Sequence, residues 1–526
     1  MAKRRSLLFS GSVLSLFTLL SRFLGLVREM TKAALLGTGA LSDAFTVAFM
    51  LPNLFRRLFA EGSIAVAFIP AFKEFLINDD HKETKEFLAS FWTVLTFIVS
   101  SVVAISIIAA PYFIVVFGKE AFDETVLLTR IMFPYLLFIS IAAFFQGILN
   151  SVYIFVPSAL APIILNLVFI TAAWLLSPLT SNPARAMAIG VFAGGFLEAA
   201  IQLPFVIKKG FSFCWRGLYK SLCNRGTRKV FKLIGPTIIG MAAYQLNDIV
   251  STALARGAGE GIVSSLQYSL RMQELILGVF AVSIGTVLLP ELAEHTNTGN
   301  WNAYNKRLLE AISIVSIITI PVIFFSLLQG ENLIRLLFQT GEFDESSVAL
   351  TLKAFKYHII GLSFIALNRI LAPAFYAQND SFSPTLAGII SFIVNIILAI
   401  VLVDRMEGGG IALALSIAGA VNTVFLFLFL RKNKNIIIAK ITVHSALYMI
   451  KICLFSILSI IPVYLIKNIV ERFFTNISIR SKILAFAAPM AVCFVIFSTM
   501  GIFLLYITGD KYIRTIINHI RRKRPA

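Results

Sequence analysis

Apolar stretches of about 20 residues or more recur along almost the whole chain, and each is long enough to cross the ~30 Å hydrocarbon core of a bilayer as a helix. In lipid every backbone N–H and C=O must find its partner inside the chain, so such segments span as helices and not as open strands. The pattern predicts fourteen helices, at 8–36, 41–75, 87–117, 124–152, 157–179, 185–207, 229–255, 262–293, 302–329, 346–377, 383–403, 409–431, 443–466 and 483–507. Only 14% of the 526 residues are charged and mean hydropathy is +0.86, against about a quarter charged in soluble proteins. The expected class is an all-α polytopic membrane protein without a separate soluble domain. The basic start, MAKRRSLLFSGSV, is signal-like, but no small-residue cleavage site follows, and it reads as a retained first span.

Net charge is +19. The N-terminal KRR, the connection at 208–232, the connection at 431–440 and the RRKR tail at 521–524 all fall on one side of the membrane. That side carries about 26 Lys and Arg against about 9 on the other, which makes it cytoplasmic and places both termini there. The last external loop, with Lys467, Arg472, Arg480 and Lys482, runs against the rule. Topology and contact with anionic membrane lipids account for the basic excess, so no nucleic-acid partner is implied. The four cysteines show no metal-ligand spacing. No G-x-x-x-x-G-K-[ST], H-E-x-x-H or G-x-S-x-G motif is present, so nothing marks the chain as an enzyme or an ATP motor.

An internal repeat is visible. GSIAVAFIPAFKE at 62–74 echoes VSIGTVLLPELAE at 282–294, with Pro70 over Pro290 and Glu74 over Glu294. Asn150 and Asn166 are echoed by Asn379 and Asn395 at a similar offset. Six helices separate the copies, so both run in the same membrane orientation, a parallel duplication whose halves rock around a central cavity. The organisation expected is an N-terminal lobe at 1–207 (helices one to six), a basic cytoplasmic connection at 208–228 and a C-terminal lobe at 229–431 (helices seven to twelve). Two extra helices at 443–507 and a basic cytoplasmic tail at 508–526 follow.

Ionisable residues inside spans are costly and mark function by default. Here they include Arg22, Arg28, Lys32, Asp43, Arg56, Arg57, Glu61, Asp248, Arg271 and Glu274. Arg22 and Glu29 share a helix stripe at i,i+7, and Arg271 and Glu274 stand at i,i+3, so both pairs are candidate ion pairs. Arg28, Lys32 and Arg56 show no local partner in the sequence, and Asp248 shows no nearby base. The surplus of cations suggests a water-filled cavity for an anion, with phosphate favoured because the planar guanidinium gives bidentate hydrogen bonds. The competing reading is a set of structural salt bridges to Asp43, Glu61 and Asp248. Gly25, between Arg22 and Arg28, is a candidate bend.

SRFLGLVRE and SDAFTVAFMLPNLFRRLFAEGSIAVAFIPAFKE at 42–74 resemble the signature of the MurJ (MviN) family of lipid II flippases, within the multidrug/oligosaccharidyl-lipid/polysaccharide exporter superfamily. The resemblance covers essentially the whole chain. It implies translocation of lipid II, the undecaprenyl-diphosphate-linked peptidoglycan precursor, between leaflets of the bacterial inner membrane by alternating access, in a monomer. It also implies that Arg22, Arg28, Arg56 and Arg271 match the essential arginines and Asp43 the acidic position of helix two, with Glu61 and Glu274 beside them. In the family these line a central cationic cavity, and the two extra helices form a groove for the polyprenyl tail. Some members bind Na+, for which Asp248 and Asn395 match two ligands. Leu270, where some relatives carry an acidic residue, and the lack of a second carboxylate near Asn395 depart from that pattern. Three readings compete: a polysaccharide-lipid or drug exporter of the same superfamily, a non-transporting scaffold for cell-wall enzymes, and a membrane enzyme acting on polyprenyl phosphates, which no acidic metal-binding cluster supports.

Overall fold

The computed structural model of the chain describes residues 2–57, 65–77, 81–118, 120–477 and 482–515. Among them every regular element is helical. The first are α1 (Ala2–Leu36), α2 (Ala40–Arg56), α3 (Ala65–Ile77), α4 (His81–Ile114), α5 (Phe122–Met132), α6 (Tyr135–Ser151), α7 (Val156–Leu176) and α8 (Pro183–Ala200). Short α9 (Leu203–Lys208) and α10 (Leu218–Cys223) lead to α11 (Arg225–Ala258) and α12 (Ile262–Asn297). The remainder are α13 (Trp301–Phe338), α14 (Glu345–Ile360), α15 (Leu362–Tyr376), α16 (Phe382–Met406), α17 (Gly408–Leu430), α18 (Ile438–Ile477) and α19 (Ala488–Ile507).

Local chemistry sets several of the starts. The side chains of Asn182, Asn224, Asn300 and Asp344 accept a backbone N–H three residues on, at 2.9–3.1 Å, and so cap α8, α11, α13 and α14. Each cap contributes about 1 kcal/mol. The Ser347 amide is the first cause that holds the Asp344 carboxyl below its ordinary value.

Among the described residues nine helices are long and apolar enough to cross a membrane, or ten if the pair Glu345–Ile360 and Leu362–Tyr376, bent by 44°, is one span. The other four expected crossings fall on α1, α2 with α3, α11 and α12. Those helices hold Arg22, Arg28, Lys32, Asp43, Arg56, Asp248, Arg271 and Glu274.

Packing divides the chain into two compact units, 1–264 with 340–343, and 265–339 with 344–526. In the first, α1 and α8 pack on α7, α2 on α5, and α11 on α3 and α4. Its core is a stack of phenylalanines. Phe68 meets Phe72, Phe87, Phe91 and Phe144 with centroids 5.1–5.7 Å apart. Against lipid such rings gain little from leaving water, so close packing and not hydrophobic transfer holds them together. In the second unit α16 packs along α17 as α7 does along α8, α13 and α19 flank α18, and α14 and α15 lie on α17. Asn166 on α7 and Asn395 on α16 are both buried, each in its own unit.

Helix α8 approaches α7 through glycine. A Cβ on Gly190 would stand 2.9 Å from the Ala172 Cβ and 3.2 Å from the Phe169 Cα, so Gly190→Ala must push the helices apart. Overpacking of this kind costs about 1–3 kcal/mol. Thermal unfolding of the purified protein in detergent should show a lowered Tm for Gly190→Ala. Gly388→Ala on α16, where a Cβ meets nothing within 4 Å, should leave it unchanged.

Candidate functional site

The lower half of α1 concentrates the charges of the first unit. Arg28 Nη2 donates to Glu29 Oε1 at 2.8 Å, and its guanidinium carbon lies 5.8 Å from the centroid of Phe169 on α7. Adjacent residues on a helix point about 100° apart and rarely meet. The long Arg28 side chain bridges that angle because Phe169 supports its plane. The expectation that Arg28 lacks a local partner is therefore corrected. Among the described residues Glu29 takes its only hydrogen bond, so the other guanidinium N–H groups meet no protein acceptor. Lys32, one turn further, is buried and donates to Thr46 Oγ1 at 2.9 Å, and Thr46 in turn donates to the Ser42 carbonyl at 2.8 Å. Arg56 is likewise corrected: its Nε donates to Asn53 Oδ1 at 2.9 Å, one turn back on α2. Arg22 is exposed on α1, which runs as one helix through Gly25. Glu61 lies outside the described residues.

Asp43 does different work. It is fully buried in the first turn of α2, and its carboxylate accepts from the Gly261 amide and the Ser264 amide, each at 2.8 Å. A carboxylate at a helix start meets both the orphan N–H groups and the positive end of the dipole, so Asp43 caps the beginning of α12. The exchange is reciprocal, because Glu260 Oε1 accepts from the Ala40 amide at 2.8 Å and caps α2. Gly341 belongs to the same region: its φ is +60 and a Cβ there would stand 2.1 Å from the Ala34 carbonyl oxygen, while the Glu342 amide donates to that oxygen at 2.9 Å. Sequence reading found Asp43 but not Glu260, Gly261 or Ser264. The turn residues before Ile262 signal a helix start, yet nothing in the chain announces a partner more than two hundred positions away.

Asp248 on α11 has a base after all. Arg57 Nη1 donates to Asp248 Oδ2 at 3.3 Å and to Gln245 Oε1 at 3.4 Å, a pairing invisible in sequence because the residues stand on different helices. A cation ligand needs carboxylate oxygens free of competing positive charge, and Asp248 already faces a guanidinium. In the second unit Asn395 is buried on α16, which brings no carboxylate within two turns of it. Asp248 would hold Na+ only in competition with Arg57, and Asn395 has no carboxylate beside it on α16.

Also in the second unit, Arg271 Nη1 meets Glu274 Oε2 at 2.8 Å, the i,i+3 pair expected from spacing. Both side chains are a third or more exposed, so the pair contributes little to stability. Away from these charges, α13, α18 and α19 enclose an apolar cavity of about 260 Å³ lined by Ile317, Pro321, Phe325, Phe455, Phe497 and Leu505.

The chain matches the family model described as lipid II flippase MurJ over residues 32–484. It belongs to that family. The probable lipid II flippase MurJ of Treponema pallidum is 44% identical over 527 residues, 99% of each chain. The lipid II flippase MurJ of Burkholderia cenocepacia is 34% identical over 425 residues, 79% of this chain and 82% of its own. A solved structure of lipid II flippase MurJ in an inward closed conformation aligns with a TM-score of 0.78 at 25% identity, covering 96% of this chain and 99% of its own. An inward-facing multidrug resistance MATE family transporter of the MOP superfamily aligns with a TM-score of 0.65 at 15% identity, over 80% of this chain and 95% of its own, and shares the fold. As a MurJ-family chain with nine to ten apolar spans among the described residues, this is a multi-pass membrane protein.

Asp43→Ala removes two charge-assisted caps and should destabilise the protein by about 2–3 kcal/mol. Asp43→Asn, which keeps an acceptor oxygen, should recover about half of that. Thermal unfolding in detergent reads both. Arg57→Ala should cost less than about 1 kcal/mol in the same measurement, because its pair with Asp248 is more than a third exposed on both sides.

Proposed function

We propose that this chain moves lipid II, the undecaprenyl-diphosphate-linked precursor of peptidoglycan, from the inner to the outer leaflet of the bacterial cytoplasmic membrane. It acts as a monomeric transporter with both termini in the cytoplasm and fourteen crossings, working by alternating access. Family membership supports the substrate. The observation that carries the chemistry is Arg28, placed within a membrane helix with one edge on Glu29 and the rest of its guanidinium without a protein acceptor among the described residues.

The substrate's difficulty is its head. A long isoprenoid tail is content in hydrocarbon, whereas a diphosphate is not. Arg28 offers a planar, always-charged fork that matches two phosphate oxygens, and Lys32 and Arg56 raise the local positive potential. The incoming diphosphate competes with Glu29 for the guanidinium, which holds the arginine in place when no substrate is bound. Arg22, on the same helix, supplies a further cation, and in the second unit, taken by itself, the apolar cavity among α13, α18 and α19 suits isoprene units of a polyprenyl tail. The membrane potential supplies about 2.3 kcal/mol per charge per 100 mV for the return step.

A drug exporter of the same fold class would recognise cations with exposed carboxylates. The carboxylates here are engaged: Asp43 by two amides, Glu29 by Arg28 and Asp248 by Arg57. That favours an anionic cargo.

In cells whose own flippase is depleted, Arg28→Ala and Arg271→Ala should abolish the exposure of lipid II to a lipid II-binding probe added outside, with protein level in the membrane unchanged. Arg28→Lys keeps the charge but loses the fork, and should lower the rate roughly tenfold. Normal exposure with Arg28→Ala would sink the anion-clamp mechanism.

A further inference from the structure

The stretch at 208–232, from the end of α9 through α10 into α11, has no role in the chemistry above, yet it is densely basic. From 208 to 232 it holds Lys208, Lys209, Arg216, Lys220, Arg225, Arg228, Lys229 and Lys232 and not one acidic residue. It is not a loose loop. Phe211 packs edge-on against Phe72 at 5.6 Å, and Phe213 stacks on Trp92 at 5.2 Å. The Arg216 amide donates to Thr93 Oγ1 at 3.0 Å, and the Arg216 guanidinium pairs with Glu86 at 3.4 Å. Ser221 is buried where α10 meets α4. These contacts fix the backbone and leave a defined outer face.

That outer face is the wrong composition for water. Trp215 is 67% exposed, Tyr219 81% and Leu222 44%, and Lys208, Lys209, Lys220 and Arg225 are exposed beside them. The segment starts where the apolar span Pro183–Lys208 ends, so it stands at the boundary between hydrocarbon and water. Trp and Tyr with an apolar body and a polar tip collect at that boundary. Lysine and arginine near it are drawn to anionic headgroups. A face that combines both and excludes acidic residues matches a lipid surface better than a soluble protein, which would meet it with carboxylates and gain nothing from its place at the end of a span.

We propose that residues 208–225 form a preorganised platform that docks on the anionic phospholipid headgroups of the chain's own membrane, with Trp215, Tyr219 and Leu222 inserted at the level of the headgroups and Lys208, Lys209, Lys220 and Arg225 on the phosphates. Lys229 is not part of it, because it is paired with Glu74.

The full chain in lipid nanodiscs tests this. Tryptophan quenching by lipids brominated near the headgroup is compared between the unmodified protein and Trp215→Phe, so that the difference reports Trp215. Discs of phosphatidylcholine are compared with discs containing phosphatidylglycerol. The expected result is a Trp215 component quenched in the anionic discs and at least about twofold less in neutral discs, in high salt or in the Lys208→Gln, Lys209→Gln, Lys220→Gln variant. Three results would overturn the proposal: no lipid quenching of Trp215, equal quenching in neutral and anionic discs, or full quenching by aqueous iodide in discs as in detergent. The last would leave the face open to a soluble partner. Unchanged thermal unfolding of each variant establishes that the fold is intact.

Discussion

A charge in hydrocarbon must be matched, and how each match is made governs the rest of this molecule. An unscreened ion deep in a bilayer costs several kcal/mol even by permissive scales. On α1, α2 and α11 the chain gives Arg28, Lys32, Asp43, Arg56 and Asp248 each a partner. The charged helices cannot face lipid all round, so they must find neighbours. The Phe169 plane under Arg28, the hydroxyl of Thr46 on Lys32 and the amide of Asn53 on Arg56 are neutral or aromatic partners. Neutral partners hold a cation in place without cancelling it. Glu29 alone sets a carboxylate against Arg28, and it engages only one nitrogen. Arg28 is thereby positioned with its guanidinium only partly engaged, the condition an anion-binding site requires.

Carboxylates in the same unit are used the opposite way. Asp43 spends both oxygens on backbone amides, and Asp248 faces Arg57. One is a helix cap and the other a cross-helix tie. A carboxylate so engaged is a structural element and not a ligand for a cationic cargo.

Much of this was legible in the sequence, and the part that was not has a physical reason. Span length, apolar composition and the Pro70/Pro290 and Asn166/Asn395 echoes follow from local pattern, because a membrane helix satisfies its backbone within itself. The Arg271–Glu274 pair follows from helical spacing. Arg28–Glu29 is not legible because neighbouring residues on a helix should diverge, and the ring of Phe169 beside the guanidinium comes from a helix remote in sequence. Arg57–Asp248 and Asp43 with Gly261 and Ser264 were missed because they join segments about two hundred residues apart. Periodicity says which face a residue occupies and nothing about what stands opposite. The family resemblance named Asp43 as important without saying that its work is to hold backbone amides.

The duplication explains why the two caps are reciprocal. At the offset of 220 that places Pro70 over Pro290, Gly37 and Gly39 fall on Gly257 and Gly259, and the start of α2 falls on the start of α12. Glu260 is thus the counterpart of Ala40, whose amide it accepts, and Asp43 reaches back to the turn that matches its own. Two copies of one helix start cap each other, an arrangement that a duplicated chain reaches with few substitutions because each copy already presents the same orphan amides. At the same offset Arg28 falls on Asp248. The two matched positions carry opposite charge, so one supplies the cation offered to an anion and the other the carboxylate that pairs with Arg57.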